Sequence, residues 1–525
     1  MQKALQIGKK SATGGFQLFI GQASSTVIMA IGTIILARLI TPEEYGLYTV
    51  ALVPCNMAVL FRGWGINRAI TKYTATLRAK KMEEKTYQII RSGIIFEMTT
   101  GFAISLILIF MSNFIATTIF NRPESAILIA IASTTVFVGG FQMAAQSAFL
   151  GFERMKLNSL TNVLQATAKS IAAPLLVLIG MGATGATLGY TLSFIASATV
   201  ALTILYLTII RKMKTKNPEN LPKITNILQE MLHYGVPLAI SSIISGFLIH
   251  FCTFLMAIYC LNAAIGNYQV ATQFAIILTF FTIPISTVLF PAFSKINPQK
   301  ENELLQTIFT SSIKYTSLIL VPTTIALMIL SNPLVSTLFG EKWTQAPLFL
   351  TLYITNNLFV MFGSLTLGSL LAGIGETKMQ MKLSLVTLAI GIPLSLILIP
   401  SMGIIGLILT IIIASKPSLA IGIYWARRKY NVKIDINSSM RIFIASTIAA
   451  MASFLAINFT AYANWIELTI GTLTFAATYL LATPTIGAIN KSDINNLKTM
   501  FSGLGALSKL INIPLNFMEK LPNLT

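Results

Sequence analysis

The sequence predicts an all-α polytopic membrane protein, and three observations carry that prediction. Hydrophobic residues make up 54% of the 525 and charged residues only 10%, with a mean hydropathy of +0.75, far above soluble globular usage. Apolar runs follow one another along the chain, each of about 20 residues or more, enough at roughly 1.5 Å per residue to span a hydrocarbon core of about 30 Å. The charges sit in short loops between these runs, and the basic excess falls in alternate loops, which is the positive-inside pattern. The net charge of +20 is therefore a topology signal and not a nucleic-acid-binding surface.

The first run, Gly14 to Ala37, carries no charge. Its small residues Gly14, Gly15, Gly21, Ala23, Ser24 and Gly32 let neighbouring helices approach closely. Gln17 and Gln22 are polar groups that lipid does not tolerate unpaired, so this helix is expected inside a bundle with a polar face away from lipid. Arg38 ends the run, and Thr41-Pro42-Glu43-Glu44-Tyr45-Gly46 turns the chain into the next one. The same grammar gives fourteen segments. The first six lie near 14–38, 46–70, 89–112, 125–150, 157–180 and 184–210. Six more follow near 229–260, 266–291, 305–330, 347–371, 379–400 and 403–425, and the last two near 441–462 and 465–487.

Alternate loops set the orientation. Lys3, Lys9 and Lys10, then Arg78-Ala79-Lys80-Lys81, Arg154 with Lys156, and Arg211-Lys212-Met213-Lys214-Thr215-Lys216 fall on one side. Lys295, Lys300, Lys378, Arg427-Arg428-Lys429 and the lysines of the tail follow on that same side. The opposite loops hold little beyond Arg122 and Lys342. Both termini are therefore expected in the cytoplasm, in a multi-pass protein of the cell membrane. The short N-terminus lacks a small-residue cleavage site, so no removable signal peptide is expected. Cys55, Cys252 and Cys260 fall in apolar segments without metal-ligand spacing and read as small buried hydrophobes. No metal or other cofactor is expected.

The chain repeats itself. Met181-Gly182-Ala183-Thr184-Gly185 returns as Met402-Gly403-Ile404-Ile405-Gly406, and Tyr45-Gly46-Leu47-Tyr48 as Ile265-Gly266-Asn267-Tyr268. Gly151-Phe152-Glu153-Arg154-Met155-Lys156 matches Gly373-Ile374-Gly375-Glu376-Thr377-Lys378, and Pro174-Leu175 matches Pro393-Leu394. All four fall at offsets of 219–222 residues. Residues 1–210 are thus expected to form an N-lobe of six helices, and 229–425 a C-lobe of six. A cytoplasmic linker at 211–228 joins them, and two further helices follow at 441–487. Repeats in the same orientation are related by an axis along the membrane normal, with a cleft near the midplane. The tail at 488–525 places Leu497, Met500, Phe501, Leu504, Leu507, Leu510 and Ile511 at helical spacing and reads as an amphipathic helix on the inner membrane surface.

The ionisable residues singled out within the segments are Arg62, Arg68, Glu97, Lys169, His250, Lys314 and Lys416. Each is expensive in a membrane unless it has a partner or a watery cavity. Arg62, Lys169, Lys314 and Lys416 lie furthest from loops and are the candidate cavity cations, with His250 as a fifth group. The competing readings are an Arg62–Glu97 ion pair, Arg68 snorkelling to the interface, and a neutral, satisfied His250. Gln17, Gln22 and Asn56, with Gln142, Gln146, Asn162, Gln165, Asn356 and Asn357, supply candidate lining amides. Cations with amides suit a solute bearing an anionic group and many hydroxyls. No G-x-x-x-x-G-K-[ST] motif is present, so nucleotide hydrolysis is not expected to drive transport.

Leu36-Ala37-Arg38-Leu39 through Pro42-Glu43-Glu44-Tyr45-Gly46, with Gly63-Trp64-Gly65-Ile66 and Thr71-Lys72-Tyr73, resembles the polysaccharide-transporter branch of the multidrug/oligosaccharidyl-lipid/polysaccharide (MOP) superfamily. So do Leu289-Phe290-Pro291-Ala292-Phe293-Ser294 and Leu371-Ala372-Gly373-Ile374-Gly375. These are the Wzx-type flippases, related to MurJ. The resemblance covers the whole chain and implies a MOP/MATE-like fold of fourteen helices with alternating access. It also implies a lipid-linked oligosaccharide on polyprenyl phosphate or pyrophosphate as substrate, for surface polysaccharide or glycoprotein biosynthesis. Membrane lipids and other polysaccharide-assembly proteins are the partners it suggests, with no enzymatic activity, no nucleic acid and a monomer as the expected state. The alternatives are a cation-coupled multidrug exporter of the MATE branch, which wants acidic residues in its lobes, and a membrane glycosyltransferase or polymerase. The second lacks paired carboxylates in its short outer loops.

Overall fold

The computed structural model describes residues 2–213, 223–459, 463–501 and 506–519. It is 89% helix, with no strand among the described residues, as the apolar runs require. The α-helices are α1 (Gln2–Leu39), α2 (Pro42–Val59), α3 (Ile66–Ala79), α4 (Glu83–Phe114), α5 (Ala126–Gly151) and α6 (Met155–Leu176). Next come α7 (Gly182–Thr208), α8 (Ile224–Tyr259), α9 (Asn262–Ser294), α10 (Asn302–Ile329), α11 (Ser331–Phe339) and α12 (Ala346–Ile354). The last six are α13 (Ser364–Gly373), α14 (Thr377–Tyr430), α15 (Ile436–Asn458), α16 (Asn464–Thr485), α17 (Lys491–Phe501) and α18 (Ala506–Glu519). The protein is a multi-pass membrane protein.

Among the described residues nine helical runs are long and apolar enough to cross a membrane, or up to ten with one bent pair counted as a span, against the fourteen expected. Most of the difference lies in where helices break; the segment expected at 266–291 lies within α9, which is not among the nine. The run Met155–Lys212 covers 58 residues and Thr377–Tyr430 covers 54, so each would reach roughly 80 Å if straight, and each contains two expected segments. The segment expected at 46–70 is broken between α2 and α3, where Trp64 and Gly65 take φ of 40° and 79°. The segment expected at 347–371 passes through a tight 3-10 stretch at Thr355–Phe362 and bends by 57° before α13, with Gly363 left-handed at φ 81°. The expected linker at 211–228 has its residues 214–222 outside the described residues.

The turn after α1 is built by a capping box. Glu44 N–H donates to Thr41 Oγ1 at 3.2 Å, and Thr41 N–H donates to Glu44 Oε2 at 3.1 Å. These bonds satisfy donors that a helix start leaves open, and Pro42 occupies the first turn, where no N–H is needed.

The repeated motif has repeated geometry. Gly182 sits at φ 46°, ψ −131° and Gly403 at φ 60°, ψ −130°, a conformation reserved in practice for glycine. The second glycine of each motif lets the following helix pass against a carbonyl of the helix before. A Cβ on Gly185 would stand 2.9 Å from Leu176 O, and one on Gly406 would stand 1.9 Å from Leu398 O. Ser197 Oγ donates to Thr161 O at 3.0 Å, and Ser418 Oγ donates to Leu383 O at 2.9 Å. The starts of α2 and α9 meet reciprocally: a Cβ on Gly46 would lie 1.8 Å from Asn262 O, and one on Gly266 would lie 2.2 Å from Pro42 O. Such a contact, in which equivalent residues exchange places, is the signature of a local two-fold.

The chain forms two compact units, Met1–Gln269 with Leu388–Ile411, and Val270–Thr387 with Ile412–Thr525. In the first, α1 lies on α6 with small residues at the seam, as expected of Gly21 and Gly32. Ser159 Oγ donates to Gln17 O at 3.0 Å and Ser170 Oγ to Ile28 O at 2.9 Å. Its core gathers Ile66, Ile70, Ile90, Phe149, Leu205 and Met231. The second unit has a core of Phe293, Phe309, Ile313, Leu370, Ala426 and Val432, and pairs α15 with α16.

Candidate functional site

The four deep cations divide into two kinds. Arg62 lies in the break between α2 and α3 and is 2% exposed. Its Nε donates to Glu97 Oε2 at 2.8 Å and its Nη1 to Val136 O at 2.9 Å, while Nη2 stands 2.9 Å from Met143 Sδ. Asn67 Nδ2 donates to Glu97 Oε1 at 2.8 Å. Glycines on α5 make the room: a Cβ on Gly139 would be 3.3 Å from Arg62 Nη1, and one on Gly140 would be 3.1 Å from Glu97 Oε2. The Arg62–Glu97 pair is thus formed, and its charges cancel inside the first unit.

Lys314, on α10, is also neutralised. Its Nζ donates to Asp493 Oδ2 at 2.6 Å, and Asp493, on α17, is 6% exposed. Tyr315 Oη donates to Asp493 Oδ1 at 3.3 Å, and Asn496 Nδ2 donates to Tyr315 Oη at 3.0 Å. Ile494 and Leu497 are buried beside it. The tail, expected as one amphipathic helix, holds α17 and α18 among the described residues. There α17 turns its acid and its apolar residues into protein, where Asp493 supplies the counter-charge of the half-buried Lys314. The side chains of Met500, Phe501, Leu507, Leu510 and Ile511, and the whole of Leu504, lie outside the described residues.

Lys169 and Lys416 have no carboxylate partner among the described residues. Lys169, half-buried on α6 in the first unit, holds its Nζ 5.3 Å from the centre of the Tyr190 ring. Lys416, half-buried on α14 in the second unit, donates to Asn356 Oδ1 at 2.6 Å and sits 3.3 Å from the Phe359 ring centre. Both use aromatic faces as weak counter-charges. Lys416 also lines an open pocket of about 270 Å³ among Asn356, Ser364, Gln380, Ser384 and Thr387, with leucines behind them.

Among the other residues singled out by the sequence, Gln17 and His250 are half-buried, and Gln22 and Asn56 are exposed. The amides of α5 pair with those of α6: Gln142 Nε2 donates to Gln165 Oε1 at 2.8 Å, and Gln146 Nε2 to Asn162 Oδ1 at 2.7 Å. They stiffen that helix pair. Arg68 Nη2 donates to Ser242 Oγ at 2.9 Å.

Residues 35–347 match the family described as polysaccharide biosynthesis protein. The chain belongs to that family. Its similarity to the lipopolysaccharide biosynthesis protein WzxC of Escherichia coli K12 is 25% identity over 378 residues, 70% of this chain and 72% of WzxC. The lipid II flippase MurJ, in an inward closed conformation, superposes with a TM-score of 0.72 at 16% identity, covering 89% of this chain and 99% of that one. An inward-facing multidrug resistance MATE family transporter of the MOP superfamily gives 0.65 at 16% identity, covering 78% and 94%. The fold of this polysaccharide biosynthesis family member is therefore the MurJ/MATE fold.

For this family member, Asp493 is the charge partner that sequence reasoning missed. A signal was present in the Asn490-x-x-Asp493 spacing of a helix start: Asp493 N–H donates to Asn490 Oδ1 at 2.8 Å, and Asn490 N–H donates to Asp493 Oδ2 at 2.9 Å. Phe359 and the hydroxyls near Lys416 left no such signal.

Proposed function

We propose that this member of the polysaccharide biosynthesis family is a flippase, carrying lipid-linked oligosaccharide on a polyprenyl phosphate or pyrophosphate across the cytoplasmic membrane. Both termini stay in the cytoplasm, and the repeated lobes, residues 1–210 and 229–425, alternate access. The product serves surface polysaccharide or glycoprotein assembly, and the translocation itself makes or breaks no bond. The family, the relative WzxC and the MurJ-like fold support this reading. The observation that carries it is the distribution of charged side chains. Glu97 is tied to Arg62 and Asp493 to Lys314, whereas Lys169 and Lys416 stand against aromatic rings with no carboxylate partner among the described residues. An anionic head group lowers the electrostatic free energy of those two lysines, and a cationic drug raises it.

The exporter reading, favoured by the likeness to MATE, needs an uncompensated acid in a span to hold a proton or sodium ion. The experiment measures glycolipid leaflet accessibility and ethidium efflux in a strain lacking the gene. Lipid-linked oligosaccharide should accumulate on the cytoplasmic leaflet with dye efflux unchanged. Unaltered glycolipid distribution with impaired efflux would reverse the two readings.

A further inference from the structure

The pocket around Lys416 has a chemistry of its own, contained within the second unit. Lys416 brings three N–H donors, one used by Asn356 Oδ1 at 2.6 Å, so two remain for a ligand. Three of the hydroxyls in its lining are committed as donors, and Thr387 Oγ1 also stands 2.6 Å from Ser418 Oγ. Ser384 Oγ donates to Gln380 O at 3.2 Å, Ser415 Oγ to Ile412 O at 2.9 Å, and Thr387 Oγ1 to Leu383 O at 3.1 Å. They therefore offer the pocket lone pairs and accept from a ligand's hydroxyls. Asn356 adds an amide N–H donor beside the ammonium, and Gln380 lines the same pocket. No carboxylate lines the pocket, which disfavours a metal ion or an organic cation.

Donors of positive charge at one end and hydroxyl acceptors along the wall are complementary to a phosphate joined to a polyol. Leu367, Leu371 and Leu419 supply an apolar side for the C–H face of a sugar ring. The volume of about 270 Å³ falls just under the range of about 300–1,000 Å³ that holds drug-sized ligands. It accommodates one sugar with its phosphate and not an oligosaccharide. We propose that this pocket binds the glycosyl phosphate at the lipid-proximal end of the substrate, leaving the remaining sugars outside it. This inference rests on the flippase reading and names the part of the substrate that the second unit holds.

The test titrates the full-length protein in nanodiscs with three probes: a hexose 1-phosphate, the free hexose, and a farnesyl-phosphate-linked hexose. The wild type should bind both phosphate-bearing probes, the lipid-linked one more tightly, and not the free hexose. Lys416→Gln should weaken binding at least tenfold and Lys416→Arg less than about threefold. Gly368→Leu supplies a second variant independent of charge. Gly368 lines the pocket, and a Cβ there meets nothing within 4 Å, so the leucine fills the space without a clash at its root. It should also weaken binding at least tenfold. Wild-type binding in both Lys416→Gln and Gly368→Leu overturns the proposal. Binding of the soluble probe with exclusion of the lipid-linked one overturns the assignment to a glycolipid. Failure of the flippase reading shows separately, as unchanged leaflet distribution in the deletion strain.

Discussion

Glu97→Gln tests what holds the first unit together. The substitution keeps the shape of the side chain and removes its charge, while Arg62 keeps its own charge at 2% exposure. Arg62 loses its anionic partner at 2.8 Å and retains only neutral acceptors, the new amide oxygen, Val136 O and Met143 Sδ. Removing one member of a buried pair costs about 3–5 kcal/mol, because the surviving charge is left uncompensated. At about 1.4 kcal/mol per decade, the folded-to-unfolded ratio should fall more than a hundredfold. The double variant Arg62→Met, Glu97→Leu removes both charges and the desolvation they require, so it should lie within about 2 kcal/mol of wild type. The assay is denaturant titration in detergent micelles, followed by the fluorescence of Trp64, two residues from Arg62. The reasoning fails if Glu97→Gln unfolds within about 0.5 kcal/mol of wild type, or if the double variant is less stable than the single one.

The tail offers a related test. Asp493→Asn should weaken the docking of α17 by about 1–3 kcal/mol, the worth of hydrogen bonds to charged groups, and limited trypsin digestion should cut faster at Lys491 and Lys498. Unchanged protection would mean that Ile494 and Leu497 hold the helix alone. Gly182→Ala and Gly403→Ala should each destabilise by about 1–3 kcal/mol through backbone strain. The first should be worse, since its Cβ falls 2.4 Å from Glu44 Oε1 while the second finds nothing nearer than Cys260 Sγ at 3.7 Å; equal thermal midpoints would contradict this. Gly46→Ala and Gly266→Ala, which meet backbone at 1.8 and 2.2 Å, should both lower the midpoint, and a neutral outcome in either would show that α2 and α9 part readily.

Membrane class, helix content and the duplicated turn were legible because each rests on a local property: apolar run length, charge placement, and glycine at a backbone position that other residues resist. Hydropathy did not reveal the breaks at Trp64-Gly65 and Gly363, because it measures how apolar a stretch is and not whether its hydrogen-bond ladder is continuous. The Arg62–Glu97 pair was accessible as one of two readings, since both residues lie deep in runs that must satisfy them. Asp493 was not, because an acid in a polar tail looks solvated until the fold brings it to a lysine 179 residues away. The pocket at Lys416 was half legible. The lysine stood out in its apolar run, whereas the serines and threonines around it come from three separate stretches of chain and look like ordinary helix residues until those stretches are packed together.

The distance along the chain between Lys314 and Asp493 also sets an order of events. At about 5–20 residues per second, a ribosome takes roughly ten seconds or more to travel from one to the other. During that interval the ammonium of α10 is already made and its counter-charge is not. A stretch synthesised well after α10 is therefore the one that neutralises its lysine. A chain released early keeps its spans through α16 but carries a bare cation in α10. Synthesis of α17 is thereby coupled to completion of the second unit, and a chain that stops before Asp493 leaves Lys314 without that counter-charge.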